Sequence, residues 1–390
     1  MVIIPDDYKG REQSLIKHTL LRQYLVKLFM IIGRHEKRIC YVDCFSGPWQ
    51  AESEDMHDTS VAISLEIMKG CKQSLLAHSK DVHFRALFIE KDAKAHGQLE
   101  EFLSRDEWGQ IETKALHGDF YNLRPDICNW CNDGSFAFFF IDPTGWKEVV
   151  EIETLMPLLQ RNKSEYLINF MFDFIRRSYP QNTLEEHMKA IFSEVPNISH
   201  LSVDEREEFL IQLYQDHLKI NLPTTLNRAR STCVKVLYPE KDRTFYYLVY
   251  LTRHPLGIIE FVEESEKAEF VQRQVRAEVK QNRRISRTGQ TELWGPEALA
   301  DISGKTIDLS KIKEYWLDIL SDEPKRIGVE QMANMIEETG WFISNFQVAL
   351  AELISEGKVR NLDASRIRPK NVVDFSKNKN AGEFLQRLIE

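Results

Sequence analysis

Acidic side chains end several apolar segments of this sequence, in positions from which they could bind hydroxyl or amine groups. Asp43 ends the apolar run Ile-Cys-Tyr-Val and leads into a tight turn at Gly47. Glu90 and Asp142 end two further apolar runs. Asp119 follows Gly118, which comes after a shorter predicted strand. In an open parallel sheet, small molecules bind at the carboxyl ends of the strands, beside the first strand-to-helix turn. The pattern therefore predicts a ligand crevice built from strand-end acids.

The turn after the first strand has the features of a nucleoside site. Ser46 and Gly47 offer backbone N–H groups, and Gly47 has no Cβ to block a ligand. Glu90 stands where ribose-binding acids stand, because a carboxylate accepts hydrogen bonds from both ribose hydroxyls. Asp119 and Phe120 are expected to bracket an adenine, one by a hydrogen bond and the other by stacking. The predicted cofactor contacts are Asp43, Phe45, Ser46, Gly47, Glu90, Asp119 and Phe120.

The glycine content of this turn discriminates between cofactors. A dinucleotide site needs Gly-x-Gly-x-x-Gly so that the pyrophosphate can approach the backbone. The chain has only Asp-Cys-Phe-Ser-Gly-Pro-Trp at residues 43–49. S-adenosylmethionine carries no phosphate, so one glycine and one acid suffice, and the sequence favours it over NAD.

The segment Asp142-Pro-Thr-Gly-Trp146 falls at the expected reacting end of the cofactor. A carboxylate there can accept a hydrogen bond from an exocyclic amine while an aromatic side chain stacks on its ring. The segment resembles the Asp/Asn-Pro-Pro-aromatic motif of amino-methyltransferases, except that Thr144-Gly145 replaces Pro-aromatic. Asp-x-Phe-x-Gly resembles their cofactor turn, although Trp49 stands where a second glycine is usual. The predicted catalytic residues are Asp142, Pro143 and Trp146, which would orient an attacking amine by proximity.

Each of these polar residues also has a structural alternative. A strand-end acid can cap the next helix. Polar residues in or after the later strands are candidates for substrate contact. Each also has a structural alternative: the Asn as a buried amide bonded to the backbone, the Asp and Arg as an ion pair, and the His as a hydrogen-bonded residue of a turn. These candidates are Asn169, Asp173, Arg176, Arg253 and His254. Cys128-x-x-Cys131 has half of a zinc spacing without a second pair, so no metal site is predicted.

Hydrophobic periodicity predicts an α/β fold with a Rossmann-like, doubly wound sheet of the methyltransferase type in residues 1–270. A helix is expected over residues 12–32 and another over 152–159. Residues 174–240 are expected to form a mostly polar, helical insertion, and one or two last strands are placed within residues 245–261. The first strand is predicted to begin at Arg38. The other predicted strands cover residues 84–90, 112–116, 136–141 and 165–172.

The C-terminal part differs in composition. A basic segment and linker cover residues 271–308, and residues 309–390 are predicted to form a winged helix-turn-helix with helices at 312–320, 329–338 and 344–355 and a hairpin at 357–369. The basic segment would contact nucleic acid or, alternatively, pair with the acidic body of the protein. The winged helix would bind DNA or protein. The predicted nucleic-acid contacts are Arg273, Arg276, Lys280, Arg283, Arg284, Arg360, Arg366 and Arg368.

Four motifs together resemble the three-Cys-motif partner family, TcmP, over about residues 12–265. They are Tyr-Val-Asp-Cys-Phe-Ser-Gly-Pro-Trp, Phe-Ile-Asp-Pro-Thr-Gly-Trp, Leu-Ile-Asn-Phe-Met-Phe-Asp-Phe-Ile-Arg and Leu-Thr-Arg-His-Pro-Leu-Gly. The resemblance implies a methyltransferase-like protein that accompanies a cysteine-motif protein similar to radical S-adenosylmethionine enzymes.

Composition limits the remaining function classes. The chain has 390 residues, a net charge of -9 and 43% hydrophobic residues, which is typical of a globular protein and not of a wholly basic nucleic-acid coat. No apolar stretch approaches the roughly 20 residues that span a bilayer. The start lacks the order of a signal peptide, and six scattered cysteines favour a reducing compartment, so we expect a cytoplasmic protein.

Two hypotheses follow from the sequence. The first is an S-adenosylmethionine-dependent methyltransferase that acts on an amine, with a nucleic-acid base as the expected substrate. The second is a methyltransferase fold without activity, which serves as a scaffold for a cysteine-motif protein or for DNA or RNA.

Overall fold

The computed structural model describes residues 4–47, 58–132, 134–143, 150–172, 184–192, 194–224, 227–288, 308–363 and 382–388. The described strands are β1 (Arg38–Asp43), β2 (His83–Glu90), β3 (Glu112–His117), β4 (Phe136–Ile141), β5 (Ser164–Phe170), β6 (Arg230–Leu237), β7 (Thr244–Thr252), β8 (Lys325–Ile327), β9 (Val359–Asn361) and β10 (Glu383–Arg387). The described α-helices are α1 (Glu12–Ile32), α2 (Ser60–Ala77), α3 (Ala93–Leu103), α4 (Phe120–Cys131), α5 (Ile152–Leu159), α6 (Leu184–Phe192), α7 (Val203–Ile220), α8 (Pro255–Thr288), α9 (Leu309–Ile319), α10 (Val329–Thr339) and α11 (Ile343–Ser355).

A seven-stranded sheet forms the centre of the molecule, in the order β3-β2-β1-β4-β5-β7-β6. The first five strands run parallel, while β7 is antiparallel to both β5 and β6. Strand β1 lies between β2 and β4, so the direction in which the chain adds strands reverses at β1. The carboxyl end of β1 therefore lies at the topological switch point, where open α/β sheets bind ligands.

Helices cover both faces of this sheet, and the residues of β1 show how the two layers are built. Ile39 and Tyr41 pack into a core with α1, α2 and α8, whereas Cys40 and Val42 pack into a second core with α4, α5 and α7. Every residue of β4 is buried, as expected for a central parallel strand that is covered on both faces. The predicted doubly wound α/β sheet is therefore confirmed.

Two sequence predictions about the later strands are wrong. Residues 258–261, predicted as a strand, lie in α8, which begins at Pro255 because proline fits the first turn of a helix. The insertion at 174–240 contains the helices α6 and α7, but it also contains β6, which forms the edge of the large sheet. Helix α8 continues through residue 270, so the predicted boundary falls within a helix that also contains the first part of the basic segment.

The C-terminal unit contains α9, α10, α11 and a small antiparallel sheet in the order β8-β10-β9. All three predicted helices are present. Strand β9 pairs with β10. The second strand of the hairpin predicted at 357–369 would fall after residue 363, outside the described residues. The identification of this unit as a winged helix stays a prediction.

Helix α10 docks the C-terminal unit against the edge strand β6. Arg230 of β6, which is only 1% exposed, donates hydrogen bonds to Glu330 and Glu337 of α10. Glu337 also accepts a hydrogen bond from the backbone N–H of Ser231 at 3.0 Å. Ser344 of α11 donates a hydrogen bond to Glu266 of α8. Buried polar contacts thus fix the C-terminal unit to the edge of the sheet.

None of the helices in the described ranges combines the length and apolar character needed to cross a membrane.

Candidate functional site

Four polar side chains lie at the carboxyl ends of neighbouring strands in the centre of the sheet. Glu90 ends β2, Asp43 ends β1, Asp142 follows β4 directly, and Asn169 is the second-last residue of β5. Since β2, β1, β4 and β5 are adjacent and parallel, these side chains line one edge, as the sequence predicted. We call this edge the crevice. Residues 48–57, 144–149 and 173–183, which follow three of these strands, lie outside the described residues, as do the predicted residues Trp146, Asp173 and Arg176.

Asp43 is fully buried at the floor of the crevice. Its carboxylate accepts a hydrogen bond from the Ser60 hydroxyl of α2 at 2.6 Å and another from the Phe45 backbone N–H at 3.1 Å. Burial raises the pKa of Asp43 to about 7, and these two hydrogen bonds and the positive charge of Lys17 counteract the shift, while Asp142 adds to it. Asp43 therefore organises the turn after β1 and titrates near neutral pH.

Gly47 and the carboxylate of Glu90 are in close contact in the crevice. A Cβ atom added at Gly47 would lie 1.7 Å from Oε2 of Glu90, so the Glu90 side chain would have to leave its present position. The other carboxylate oxygen of Glu90 accepts a hydrogen bond from the Asp92 backbone N–H at 2.7 Å. Gly47 is thus needed so that the turn after β1 can approach the acid at the end of β2.

Asp142 is held by two neighbours, one of which the sequence did not reveal. Lys17 of α1 donates a hydrogen bond to Oδ2 of Asp142 and forms an ion pair with it. Asn169 donates from Nδ2 to Oδ1 of Asp142 at 2.6 Å. Pro143 is buried beside them. Lys17 was missed because a lysine within an amphipathic helix usually lies on the solvated face, and no motif marks this one.

Asn169 has an oxygen atom available for a ligand. The side chain is 3% exposed, and within the described part of the chain its Oδ1 has no hydrogen-bond partner. A buried acceptor without a donor costs about 1–3 kcal/mol, so its presence at the crevice calls for a hydrogen-bond donor. Asn169 as a substrate contact stays a prediction.

Asp119 and Phe120 form local structure at the edge of the crevice. Asp119 caps α4 by accepting a hydrogen bond from the Tyr121 backbone N–H at 2.9 Å, which is the structural alternative that the sequence offered. The hydrogen bond from Lys91 lowers the pKa of Asp119. Phe120 is buried and packs on Phe45 with ring centroids 5.2 Å apart. A role for Asp119 and Phe120 in adenine binding stays a prediction.

Arg253 and His254 lie at the opposite edge of the sheet. They follow β7, which is antiparallel to β5, so the end of β7 meets the beginning of β5. Arg253 donates to the backbone carbonyl of Asn162 at 3.0 Å. The structure therefore does not bring these two predicted substrate contacts to the crevice.

Most of the basic segment in α8 is paired with the acidic body of the protein, as the structural alternative proposed. Arg276 and Lys280 form ion pairs with Asp242, and Arg283 forms one with Glu240. These acids follow β6, in the connection to β7. Arg273 lies over the ring of Phe270 at 5.7 Å, while Arg284 and Arg360 are exposed. Arg366 and Arg368 lie outside the described residues.

The six cysteines are free thiols. Cys128 and Cys131 lie in α4, where Cys128 donates to the Pro157 carbonyl at 3.5 Å and Cys131 is buried. Within the described ranges, no three His, Cys, Asp or Glu side chains gather in a way that could hold a metal ion.

Comparisons with known proteins add little to this geometry. No protein-family model and no curated protein sequence matches the chain. The resemblance to the three-Cys-motif partner family therefore stays a prediction.

Distant structural alignments involve three solved proteins. One is yhhF from Escherichia coli, named as a candidate methyltransferase, at 13% identity over 60% of this chain and 85% of its own, with a TM-score of 0.29. Protein LPL1258 from Legionella pneumophila, of family DUF519, aligns at 9% identity over 63% and 89% with a TM-score of 0.35. Precorrin-6y C5,15-methyltransferase from Geobacter metallireducens aligns at 10% identity over 59% and 87% with a TM-score of 0.27. Scores at this level carry no conclusion about activity.

Proposed function

We propose that the crevice binds S-adenosylmethionine and that the protein transfers its methyl group to an amine of a nucleic-acid base. One observation carries the proposal: Asp43 and Glu90 end adjacent strands at the switch point, and Gly47 lies directly against Glu90. An acid beside a glycine turn suits the ribose of a nucleoside, and the absence of a second glycine from residues 43–47 suits a cofactor that has no pyrophosphate.

The residues of the crevice fit this cofactor. Oε2 of Glu90 occupies the space that a Cβ at Gly47 would fill, and Glu90 has lone pairs beyond the one that the Asp92 N–H occupies. Glu90 would hold the ribose hydroxyls, and the backbone of Gly47 would lie along the cofactor. Ser46 would support the turn, because its N–H donates to the Ile89 carbonyl at 2.9 Å and its hydroxyl to the Asp43 carbonyl at 3.2 Å. Asp43 would fix the turn from below through Ser60. When bound, S-adenosylmethionine supplies an electrophilic methyl group on a sulfonium.

The order of the strands supports the same proposal. Dinucleotide-binding sheets have the order 3-2-1-4-5-6 with parallel strands. This sheet has an antiparallel β7 inserted between β5 and β6, as expected for the methyltransferase-type sheet that the sequence predicted.

Asp142 and Asn169 would orient the amine. The free Oδ1 of Asn169 accepts a hydrogen bond from one amine N–H, and Asp142 accepts from the other, since each of its carboxylate oxygens has a second lone pair. Both bonds keep the nitrogen lone pair directed away from the protein and toward the reacting carbon. Lys17 holds Asp142 in place through its ion pair. Catalysis would then come from orientation, with the amine proton leaving to Asp142 or to water.

Binding of the cofactor can be tested by calorimetry with S-adenosylmethionine on the full chain. We expect Glu90→Gln to weaken binding at least about tenfold, because the amide replaces one acceptor by a donor where the ribose hydroxyls would bind. The matched control is Glu101→Gln, an exposed acid on α3, which should bind like the unchanged protein. Folding of each variant is checked by circular dichroism. A folded protein that binds no S-adenosylmethionine would remove the proposal.

A second candidate function is a scaffold of the same fold without activity. The ion pair between Lys17 and Asp142 favours it, because a carboxylate held by a lysine can be purely structural. The partner would then be the cysteine-motif protein that the sequence resemblance implies, or DNA or RNA.

Asp142→Asn separates the two candidates. The amide keeps the size of the side chain and one acceptor, so an enzyme should bind the cofactor as before but lose most of its methyl transfer, by roughly 100-fold. The assay follows labelled S-adenosylmethionine with total host DNA and total host RNA as substrates. Pro143 and the other residues near Asp142 are left unchanged, so that the folding of the variant can be compared directly with that of the unchanged protein. Equal labelling by both proteins would exclude the role of Asp142 in methyl transfer, whereas no labelling by the unchanged protein despite cofactor binding would favour the scaffold.

A further inference from the structure

A cavity of about 820 Å³ lies at the amino edge of the large sheet, on the side opposite the crevice. It is bounded by the end of α1, the beginning of α8, and the sheet residues where β4 and β5 begin and β7 ends. Small-molecule sites in proteins have volumes of about 300–1,000 Å³, so this space can hold a ligand. We call it the amino-edge cavity.

The walls of the amino-edge cavity are mostly apolar. Leu28, Ile31 and Ile32 come from α1, while Phe136 begins β4 and Leu256 lies in the first turn of α8. Aliphatic side chains on opposing helices leave a slot that suits a flat ring. Burying such a ring would contribute about 25 cal/mol for each Å² of apolar surface removed from water.

The floor of the cavity is a network of buried hydroxyls around Glu165. The carboxylate of Glu165 accepts hydrogen bonds from Tyr24 at 2.8 Å, from Tyr250 at 2.7 Å and from Thr252 at 2.8 Å. Burial raises the pKa of Glu165, and the three hydroxyls counteract the shift. A Cβ at Gly257 would lie 2.7 Å from the hydroxyl of Tyr250, so α8 approaches the network at a glycine. The floor thus offers fixed polar atoms beneath apolar walls.

Arg253 adds a donor that has no protein acceptor. The side chain is 8% exposed, and its terminal nitrogens donate to the carbonyls of Asn162 at 3.0 Å and Leu159 at 3.5 Å. Leu159 is the last residue of α5, where the helix dipole favours a cation. Within the described residues the buried Nε of Arg253 has no hydrogen-bond partner. A ligand with an acceptor at its edge would satisfy it.

The acids that line the cavity are already compensated. Glu260 forms an ion pair with Lys27 at 2.6 Å, and Glu36 forms one with Lys163 at 2.8 Å. The carboxylate of Glu165 is surrounded by hydroxyl donors. Besides Lys163, which Glu36 engages, the lining contains the cation Arg253, whose terminal nitrogens donate to two backbone carbonyls. One guanidinium among paired acids suits an acceptor on the edge of an uncharged ring better than a multiply charged phosphate.

We propose that the amino-edge cavity is a second binding site, which takes an uncharged heteroaromatic molecule of about purine size with donors and acceptors on its ring edge. The ring lies between the aliphatic side chains of α1 and α8. Its edge exchanges hydrogen bonds with Arg253 and with the Glu165 network. This site is separate from the crevice and does not depend on the function proposed for the crevice.

The experiment uses calorimetry of the full chain with adenine as the probe, and with naphthalenesulfonate as an anionic probe of similar size. Ile32→Trp should fill the cavity from its half-buried wall and weaken adenine binding at least about tenfold. The matched control is Val26→Trp, a position on the same helix that is 44% exposed and does not line the cavity. This control should bind adenine like the unchanged protein. Naphthalenesulfonate should not bind in the cavity.

A further variant separates this site from the crevice. Gly47→Ala changes the crevice alone, so adenine binding that survives in Gly47→Ala and is lost in Ile32→Trp supports the amino-edge cavity. Adenine binding that is lost in Gly47→Ala and kept in Ile32→Trp would place the probe in the crevice and overturn the inference. Absence of adenine binding to the unchanged protein, or tighter binding of naphthalenesulfonate at this site, would also overturn it.

Discussion

Asp43 combines complete burial with hydrogen bonds that only partly offset the loss of hydration. Two hydrogen-bond donors, Ser60 and the Phe45 backbone, stabilise the ionised form, yet burial still raises the pKa to about 7 from an ordinary value of 3.8. Burial penalises the charged form of a carboxyl group, so ionisation is harder in the folded protein than in the unfolded chain. The folded state therefore binds a proton at Asp43 that the unfolded state has released.

This imbalance predicts how stability depends on pH. Because the pKa is raised on folding, the contribution of Asp43 to stability is fully present below pH 4 and is lost as the pH rises through about 7. We expect Asp43→Asn, which does not ionise, to lose less stability than the unchanged protein between pH 4 and 7. Urea unfolding at a series of pH values measures the free energy of unfolding of both proteins across this range.

The control for this prediction is Asp81→Asn, an exposed acid just before β2. Its pH dependence should match that of the unchanged protein. Parallel curves for the unchanged protein and for Asp43→Asn would contradict a raised pKa at this residue.

The residues of the crevice could be predicted from sequence where a strand end marks them. Asp43, Glu90, Asp142 and Asn169 each follow an apolar run, and adjacent parallel strands bring their side chains to one edge. Lys17 could not be predicted in this way, because its contact with Asp142 joins residues 125 positions apart through helix packing. The local sequence shows where a strand ends, but it does not show which side chains of a helix point toward a strand end in the neighbouring sheet.

At the scale of elements, the same limit explains why a helix was predicted as a strand. Residues 258–261, Ile-Ile-Glu-Phe, contain three apolar residues, and so short a segment fits either a buried strand or a buried helix. In the structure they lie in α8, where Ile258, Ile259, Phe261 and Val262 pack into the core on one side of the sheet. Strand β6 was missed because it begins with three polar residues, Arg230, Ser231 and Thr232, and follows a mostly polar segment.

The edge strand β6 is protected by α10, and Arg230 is the centre of this contact. Unpaired sheet edges invite aggregation, so covering them is a general requirement. Glu337 is 8% exposed and Arg230 1%, which makes their ion pair buried, while Glu330 is 56% exposed at its rim. Removing one partner of a buried pair leaves an uncompensated charge.

We therefore expect Arg230→Leu to lower the free energy of unfolding by about 3–5 kcal/mol, because Glu337 would lose its cation while it stays buried. Urea unfolding followed by circular dichroism measures the change. The matched control is Arg228→Leu, an exposed arginine two residues earlier, which should change stability by less than about 0.5 kcal/mol. Equal effects of the two substitutions would show that the buried pair is not what holds α10 to β6.

At the scale of the whole molecule, one hydrophobic core extends from the large sheet into the C-terminal unit. Side chains of α1, α2 and α8 belong to the same buried cluster as Trp316 of α9 and Phe346 of α11. The sequence indicated two units from a change in composition. It could not show that α8 extends across the predicted boundary at residue 270, because the charge of a helix changes along its length without ending the helix.

The last described strand, β10, is the central strand of the small sheet in the C-terminal unit. Strand β10 lies between β8 and β9, so the small sheet loses its centre if β10 is weakened. Leu385 of β10 is fully buried in the core, whereas Leu388 is 41% exposed. The two leucines are three residues apart and form a matched pair for testing this role of β10.

We expect Leu385→Ala to cost about 2–5 kcal/mol, since it removes buried methyl groups and leaves a cavity. The loss should appear first in the C-terminal unit, because the large sheet is closed by its own strands and helices, whereas β8 and β9 have no described partner other than β10. Amide hydrogen exchange in α9 and α11 should become at least about tenfold faster, while β1 and β4 keep their protection. Leu388→Ala should leave both regions unchanged. Exchange that accelerates equally in β1, β4, α9 and α11 would instead show that the C-terminal unit and the large sheet unfold as one cooperative body, held together by the core that they share.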